Sequence, residues 1–205
     1  MPTTYQELKD AVLAFSNNQV IEQSIDTFID LNEADMSRRI RHWRMEKRAI
    51  GNVTTQYVPL PSDFYEPIRI SITSGDTYTL ELIDHGEISK RRMQILNTTG
   101  RPRFFTFTDG QIEMFPTPDG GYTVEILYYA QIDALSSTNT SNWVLSYFPD
   151  AYLYGTLLHS APFTGEDARM QTWSALYDKA VNDINFDNEN AKAGSVPLRM
   201  KVRSY

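Results

Sequence analysis

The spacing of apolar residues changes twice along this chain, and that change limits the folds open to it. Near the N-terminus apolar side chains recur every three or four positions. From about Asn52 to Ile132 they alternate, and beyond Asp150 they return to the helical interval. A helix cannot bury an alternating set on one face, nor a strand a set at threes and fours. The chain therefore reads as helices, then strands, then helices, which is the α+β class. Neither helical end can make a large core alone. The economical arrangement is a helical bundle formed by the N- and C-terminal helices, with an antiparallel β-sandwich or barrel module inserted between them. The expected segments are 1–51 for the first helices, 52–133 for the β module, 134–190 for the last helices and 191–205 for an extended tail.

Local signals fill in the elements. Thr4 and Glu7 have capping-box spacing before Leu8, Val12 and Phe15, which predicts a helix over 5–15. Asn17-Asn18 breaks it. Ile21, Ile25, Phe28, Ile29, Met36, Ile40 and Trp43 predict a second helix from Val20 to Ile50, stopped by Gly51. Such a helix is about 40–45 Å long. Ile68, Ile70 and Ile72 alternate, as do Tyr78, Leu80 and Leu82. Phe105 and Phe107 face Ile112 and Met114 across Asp109-Gly110, a two-residue hairpin signal. Tyr122 to Ile132 is the longest predicted strand, and a short surface helix is expected between Asp84 and Leu96. Pro149 suits the first position of a helix that Pro162 ends. A last helix from Thr164 carries Trp173, Tyr177, Ala180, Val181 and Ile184 on one face.

Composition excludes several kinds of chemistry. There is no Cys, hence no disulfide framework, thiolate metal site or cysteine nucleophile. His42, His85 and His159 lie far apart, and no Gly-rich phosphate loop or nucleophile elbow occurs. No cofactor and no metal are expected. No apolar run approaches the ~18 residues of a membrane span. The N-terminus lacks the pattern of a signal peptide, so the expectation is a protein made and kept in a cytoplasm. Carboxylate pairs are abundant among the 26 acids, which leaves a carboxylate-based glycoside hydrolase as one alternative. Phe104, Phe105, Phe107, Tyr128 and Tyr129 read as strand core, or else as the lining of a glycan-binding groove in a carbohydrate-binding or accessory tail module.

Net charge is −7 but unevenly placed. Six of the 19 basic residues (Arg38, Arg39, Arg41, Arg44, Lys47 and Arg48) fall within eleven positions holding one acid, Glu46. On the expected long helix, Arg38, Arg41, Arg44 and Arg48 share an arc of about 120°. They form either a solvated face or a stripe facing a neighbouring subunit or partner. The acidic remainder argues against general affinity for nucleic acid. The second unusual feature is the C-terminal tail. Val196, Leu198, Met200 and Val202 alternate with Pro197, Arg199, Lys201 and Arg203. This segment either folds back on its own β module or adds a strand to another chain.

Several turn and core motifs carry a resemblance. They are Leu60-Pro61-Ser62-Asp63-Phe64, and Gly100-Arg101-Pro102-Arg103-Phe104-Phe105 leading through Asp109-Gly110 to Met114-Phe115-Pro116-Thr117-Pro118-Asp119. Tyr128-Tyr129-Ala130 and Pro149-Asp150-Ala151-Tyr152-Leu153-Tyr154-Gly155 extend it. Together they resemble the head-to-tail adaptor proteins of tailed bacteriophages, over nearly the whole chain. The resemblance implies a structural virion protein without catalytic residues. It implies copies joined in a ring, usually twelvefold, beneath the portal protein, extending the DNA channel and docking a tail or nozzle protein. DNA would pass without sequence-specific binding, and no membrane is involved. The expected location is the virion neck, after assembly in the bacterial cytoplasm.

Overall fold

The structure is a computed structural model and describes residues 1–94, 98–165 and 167–193. In chain order the elements are α1 (Tyr5–Ser16), α2 (Ile25–Arg39), β1 (Glu46–Val53), β2 (Tyr57–Pro59), β3 (Phe64–Ile72), β4 (Tyr78–Thr79), β5 (Glu81–Leu82), α3 (His85–Gln94), β6 (Phe104–Thr108), β7 (Gln111–Phe115), β8 (Tyr122–Ala130), α4 (Trp143–Tyr147), α5 (Pro149–Thr164) and α6 (Asp167–Ala193). Single 3-10 turns occupy Gln19–Ser24 and Trp43–Met45. The class is α+β. A helical unit takes Met1–Arg44 and the chain from Ile132 onward, and a β unit takes Met45–Gln131.

In the helical unit, α1 starts where Thr4 Oγ1 accepts the Glu7 N–H at 3.3 Å. Glu7 reaches back one residue further than a standard capping box, accepting the Thr3 N–H at 2.8 Å. Asn17, at φ 52°, closes the other end. Helix α5 packs against α1, α2 and α6. It is buried on most of its circumference, through Ala151, Tyr152, Leu153, Gly155, Thr156, Leu157, Ser160 and Ala161. The α2–α5 contact is unusually close. A Cβ on Gly155 would stand 2.0 Å from Asn32 Oδ1. Asn32 is fully buried and donates to the carbonyls of Ala151 at 3.4 Å and Tyr152 at 3.3 Å.

One residue further along α2, Glu33 ties down the chain that follows the β unit. Its Oε1 accepts the Tyr152 O–H at 2.8 Å and the Leu135 N–H at 2.9 Å. Asn142 donates to Tyr152 Oη and to the Asp133 carbonyl, while its Oδ1 caps α4 through the Leu145 N–H at 2.9 Å. Burial, aided by Asp30, pushes the Glu33 carboxyl up to about 7 against those two donors.

The β unit holds two sheets, ordered β1-β8-β3-β4 and β2-β7-β6-β5. All pairings are antiparallel except β5 with β6. Neither sheet closes into a barrel. Val53, Ile70, Ile72, Val124, Ile126 and Tyr128 from the first sheet share one core with Phe105, Ile112 and Met114 from the second. Phe105 pairs with Met114 and Phe107 with Ile112. Asp109 and Gly110 turn between them with φ of 50° and 68°, as a two-residue hairpin of right-handed twist requires.

Helix boundaries differ from the sequence expectation at three places, the first being the start of the second helix, which is Ile25 and not Val20 because Gln19–Ser24 is a 3-10 segment. The second helix does not run to Ile50. It ends at Arg39, and residues 46–53 are strand β1, paired in register with β8 from Glu46–Tyr129 to Val53–Tyr122. Pairing along a whole edge of β8 overrides the helical preference of Glu46-Lys47-Arg48. Pro162 does not end α5 either. The helix continues to Thr164, and Gly165 closes it at φ 70° with its N–H on the Ala161 carbonyl at 3.0 Å. A proline removes one helical donor while keeping helical φ, and in the last turn that is tolerated.

Gly155→Ala should destabilise the protein by about 1–3 kcal/mol, the usual range for overpacking. Adding Asn32→Ala should recover part of that loss in urea denaturation. Unchanged stability in the single variant would contradict the close approach. The Glu33 carboxyl, raised in the folded state, keeps a proton that the unfolded chain has lost between about pH 4.5 and 7. Stability should therefore fall as pH rises through that window, by about 3 kcal/mol in all. Glu33→Gln should flatten this slope; urea titrations at pH 5 and pH 7.5 of both proteins measure it.

Candidate interaction surface

The end of α2 is fixed by α6. Asn185 Oδ1 accepts the Arg41 N–H at 3.0 Å, and Asn185 Nδ2 donates to the Arg39 carbonyl at 3.2 Å. Asn188 Oδ1 accepts the Trp43 N–H at 2.9 Å. The Arg41 guanidinium turns back onto the carbonyls of Ser37, Arg38 and Ile40 at 3.0, 3.3 and 2.7 Å. These are the carbonyls a helix leaves without partners at its C-terminus. His42 is fully buried, stacked on Trp143 with centroids 4.8 Å apart. Its Nδ1 accepts the Arg44 N–H at 3.2 Å, and its Nε2 lies 3.2 Å from Asp187 Oδ2. This is the neutral tautomer with the proton on Nε2. Burial keeps the His42 pKa below its ordinary value, with Asp187 opposing.

The four arginines expected on one helical arc are therefore divided. Arg38 lies in the last turn of α2, 3.4 Å from Asp35. Arg41 caps that turn. Arg44 follows in the 3-10 turn, its guanidinium 4.5 Å from the Trp43 ring centroid and 4.1 Å from that of Tyr147. Arg48 is on β1 in the other unit. Neighbouring Arg39 pairs with Asp35 and Asp178 and lies 5.0 Å over the Tyr177 ring. The tail residues Val196, Leu198, Arg199, Met200, Lys201, Val202 and Arg203 lie outside the described residues.

On the β unit most basic charge is matched in place. Glu125, on the central strand β8, accepts from Arg48 of β1 at 2.8 Å and from Arg69 of β3 at 3.1 Å. Arg48 above all, then Arg69, holds its carboxyl below the usual range. Helix α3 lies against the second sheet. Arg92 reaches the buried Glu113 at 2.7 Å, and Arg91 pairs with Glu87 at 2.9 Å while stacking 4.2 Å over Phe104. Gln56 also donates to Glu113, at 3.0 Å. Lys47 and the Tyr128 hydroxyl both reach Asp63, each at 2.8 Å.

Of the aromatics offered as a glycan groove, Phe105 and Tyr128 are core, Phe107 packs against that core and Phe104 lies beneath Arg91. Tyr122 donates to Asp119 at 2.6 Å, and Trp143 stacks on His42. The buried acids among the described residues, Glu33 and Glu113, are each bound by donors of their own unit. Among the described residues no three His, Asp or Glu side chains stand in an arrangement that could hold a metal ion. No described helix is long and apolar enough to cross a membrane. An apolar slot of about 260 Å³ opens along the outer strands β1 and β2, lined by Ile50, Val53, Val58 and Leu60 among others.

Residues 3–201 match the family described as SU10 adaptor protein. No curated protein matches the chain. The chain belongs to the SU10 adaptor protein family. It is a structural bacteriophage virion protein, a head-to-tail adaptor of the neck that associates with portal and tail proteins. The role of such an adaptor is structural.

Proposed function

We propose that copies of this protein form a ring, twelvefold, beneath the portal, extend the DNA channel and present the docking surface for the tail or nozzle. The observation that carries this reading is the family match over nearly the whole chain. The architecture that suits it is a helical bundle facing the portal, with the β sheets stacked as a sandwich that builds the ring or faces the tail. Assembly takes place in the host cytoplasm, before genome ejection through the finished neck.

The charge distribution supports a head-to-tail arrangement of copies. The solvent face of α2 begins with Asp26 and Asp30 and ends with Arg38. Opposite signs at the two ends of one surface suit a heterologous contact, which closes into a ring by rotation. The chain's acidity, at a net −7, suits a channel wall that DNA passes without binding. The interface residues we assign are Arg38, Arg41, Arg44 and Arg48, with Val196, Leu198, Arg199, Met200, Lys201, Val202 and Arg203 of the tail. In the tail the apolar set would fill a partner's sheet edge, and the basic set would face outward.

Electron microscopy of the protein mixed with purified portal should show a ring coaxial with the portal and a net negative lumen. A basic lumen, or protein bound as scattered single copies, would overturn the reading. Deleting residues 196–205 should leave a folded protein that co-sediments less with portal rings. Equal co-sedimentation would remove the tail from the docking surface.

A further inference from the structure

Among the arginines at the end of α2, Arg44 stands apart. Arg38 and Arg39 reach carboxylates and Arg41 faces carbonyls, but Arg44 makes no ion pair with a described carboxylate. Its guanidinium is instead held between two rings, Trp43 at 4.5 Å and Tyr147 at 4.1 Å. Both rings face solvent, Trp43 at 43% exposure and Tyr147 at 60%. The platform is rigid from behind. Asn188 holds the Trp43 N–H, and buried His42 holds the Arg44 N–H. His42 is itself clamped between Trp143 and Asp187.

That construction selects a ligand. The guanidinium packs close to two ring centroids and meets no described carboxylate, so its fork of N–H donors has no carboxylate among the described residues. A fork of this kind pairs bidentately with a carboxylate. The ring edges beside it suit an apolar side chain. Trp, Tyr and Arg are also the residues that dominate binding energy at protein interfaces, and a pre-ordered platform loses little entropy on contact. The fitting partner is a protein surface carrying a carboxylate next to an aliphatic group.

The same chain carries such a surface. On α2, Asp26, Asp30, Ala34 and Arg38 follow one another at intervals of four along the exposed face, with Leu31 beside Asp30. Asp26 is held by Lys9 at 2.7 Å and by Tyr5. Asp30 is exposed and makes no ion pair with a described residue, and Leu31 is 48% exposed. We infer that the Trp43–Arg44–Tyr147 platform of one copy binds Asp30 and Leu31 of the next copy, as the repeating contact of the ring. This inference rests on the ring proposed above and specifies its joint.

Charge exchange tests it. Arg44→Glu and Asp30→Arg should each weaken ring formation by about tenfold, alone or on portal, with unchanged thermal melts. The two changes together should restore assembly to within about threefold of the original. Arg44→Lys, which keeps the charge and loses the fork, should fall between. The absence of cysteine provides a second measurement that leaves the platform intact. A variant carrying Ala34→Cys and Ser146→Cys, treated with a short bismaleimide, should give a ladder of covalent oligomers, while neither single-cysteine variant passes the dimer. Rings that form normally in both charge variants, or that the double exchange fails to restore, overturn this contact and leave the ring standing. Arg44→Glu rings that form but no longer bind portal or tail assign the platform to that partner and also overturn it. Protein that forms no ring under any condition overturns the proposed function, and this contact with it.

Discussion

Helix α2 stops at Arg39 because two asparagines of α6 substitute for its next turn. In a continuing helix the N–H groups of Arg41 and Trp43 would bond to Ser37 and Arg39. Here Asn185 and Asn188 accept them instead, and Asn185 also donates to the Arg39 carbonyl. Arg41 supplies further donors to the last carbonyls. The N–H groups of Arg41 and Trp43 and the carbonyls of Ser37, Arg38 and Arg39 thus keep partners outside a helical ladder, so the chain can leave the helix within a few residues. Met45 is then buried and Glu46 enters the sheet. The return is fixed in the same manner, with Leu135 held by Glu33 and Asp133 by Asn142. In both places side chains of the helical unit hold that unit's own backbone.

This explains which parts of the fold were legible in the sequence. The cap of α1 and the Asp109-Gly110 hairpin are decided within a few residues, and both were readable from their spacing. The α+β class, the helix over 85–94 and the proline start of α5 are equally local. The end of α2 was not legible. Its causes sit 144 to 146 positions away along the chain, on asparagines whose sequence context is simply helical. Glu46, Lys47 and Arg48 are good helix formers, so propensity pointed the wrong way until β8 was available to pair with them. The Glu33–Tyr152–Asn142 network was missed for the same reason. A glutamate on a helical stripe looks like surface until the hydroxyl it meets is known.

The basic cluster shows how charge counted along a sequence misleads. Arg48 and Arg69 share Glu125 across three strands, and half-buried Arg92 pairs with buried Glu113. Arg39 is taken by Asp35 and Asp178. Exposed ion pairs of this kind add little stability each, about 0–1 kcal/mol. What they do is offset part of the basic charge within the chain. The density of arginine in the sequence was real, yet it did not form a helical stripe. The structure sets Arg44 apart, because it meets two rings and no described carboxylate.

Arg44 also shows why the exit from α2 matters beyond the fold. It is the last residue of the helical unit before Met45 opens the β unit. Its backbone is set by His42, whose ring is kept neutral by burial and held in place by Trp143 and by Asp187 of α6. The contacts that end the helix are therefore the contacts that aim the arginine. A surface arginine on a solvated helix would have to freeze several rotatable bonds on binding, at a cost of about 0.5–1.5 kcal/mol. Between Trp43 and Tyr147 that freezing has occurred during folding. A protein that works by joining others gains most from surfaces ordered in this way, and here the order comes from the packing that defines the helical unit.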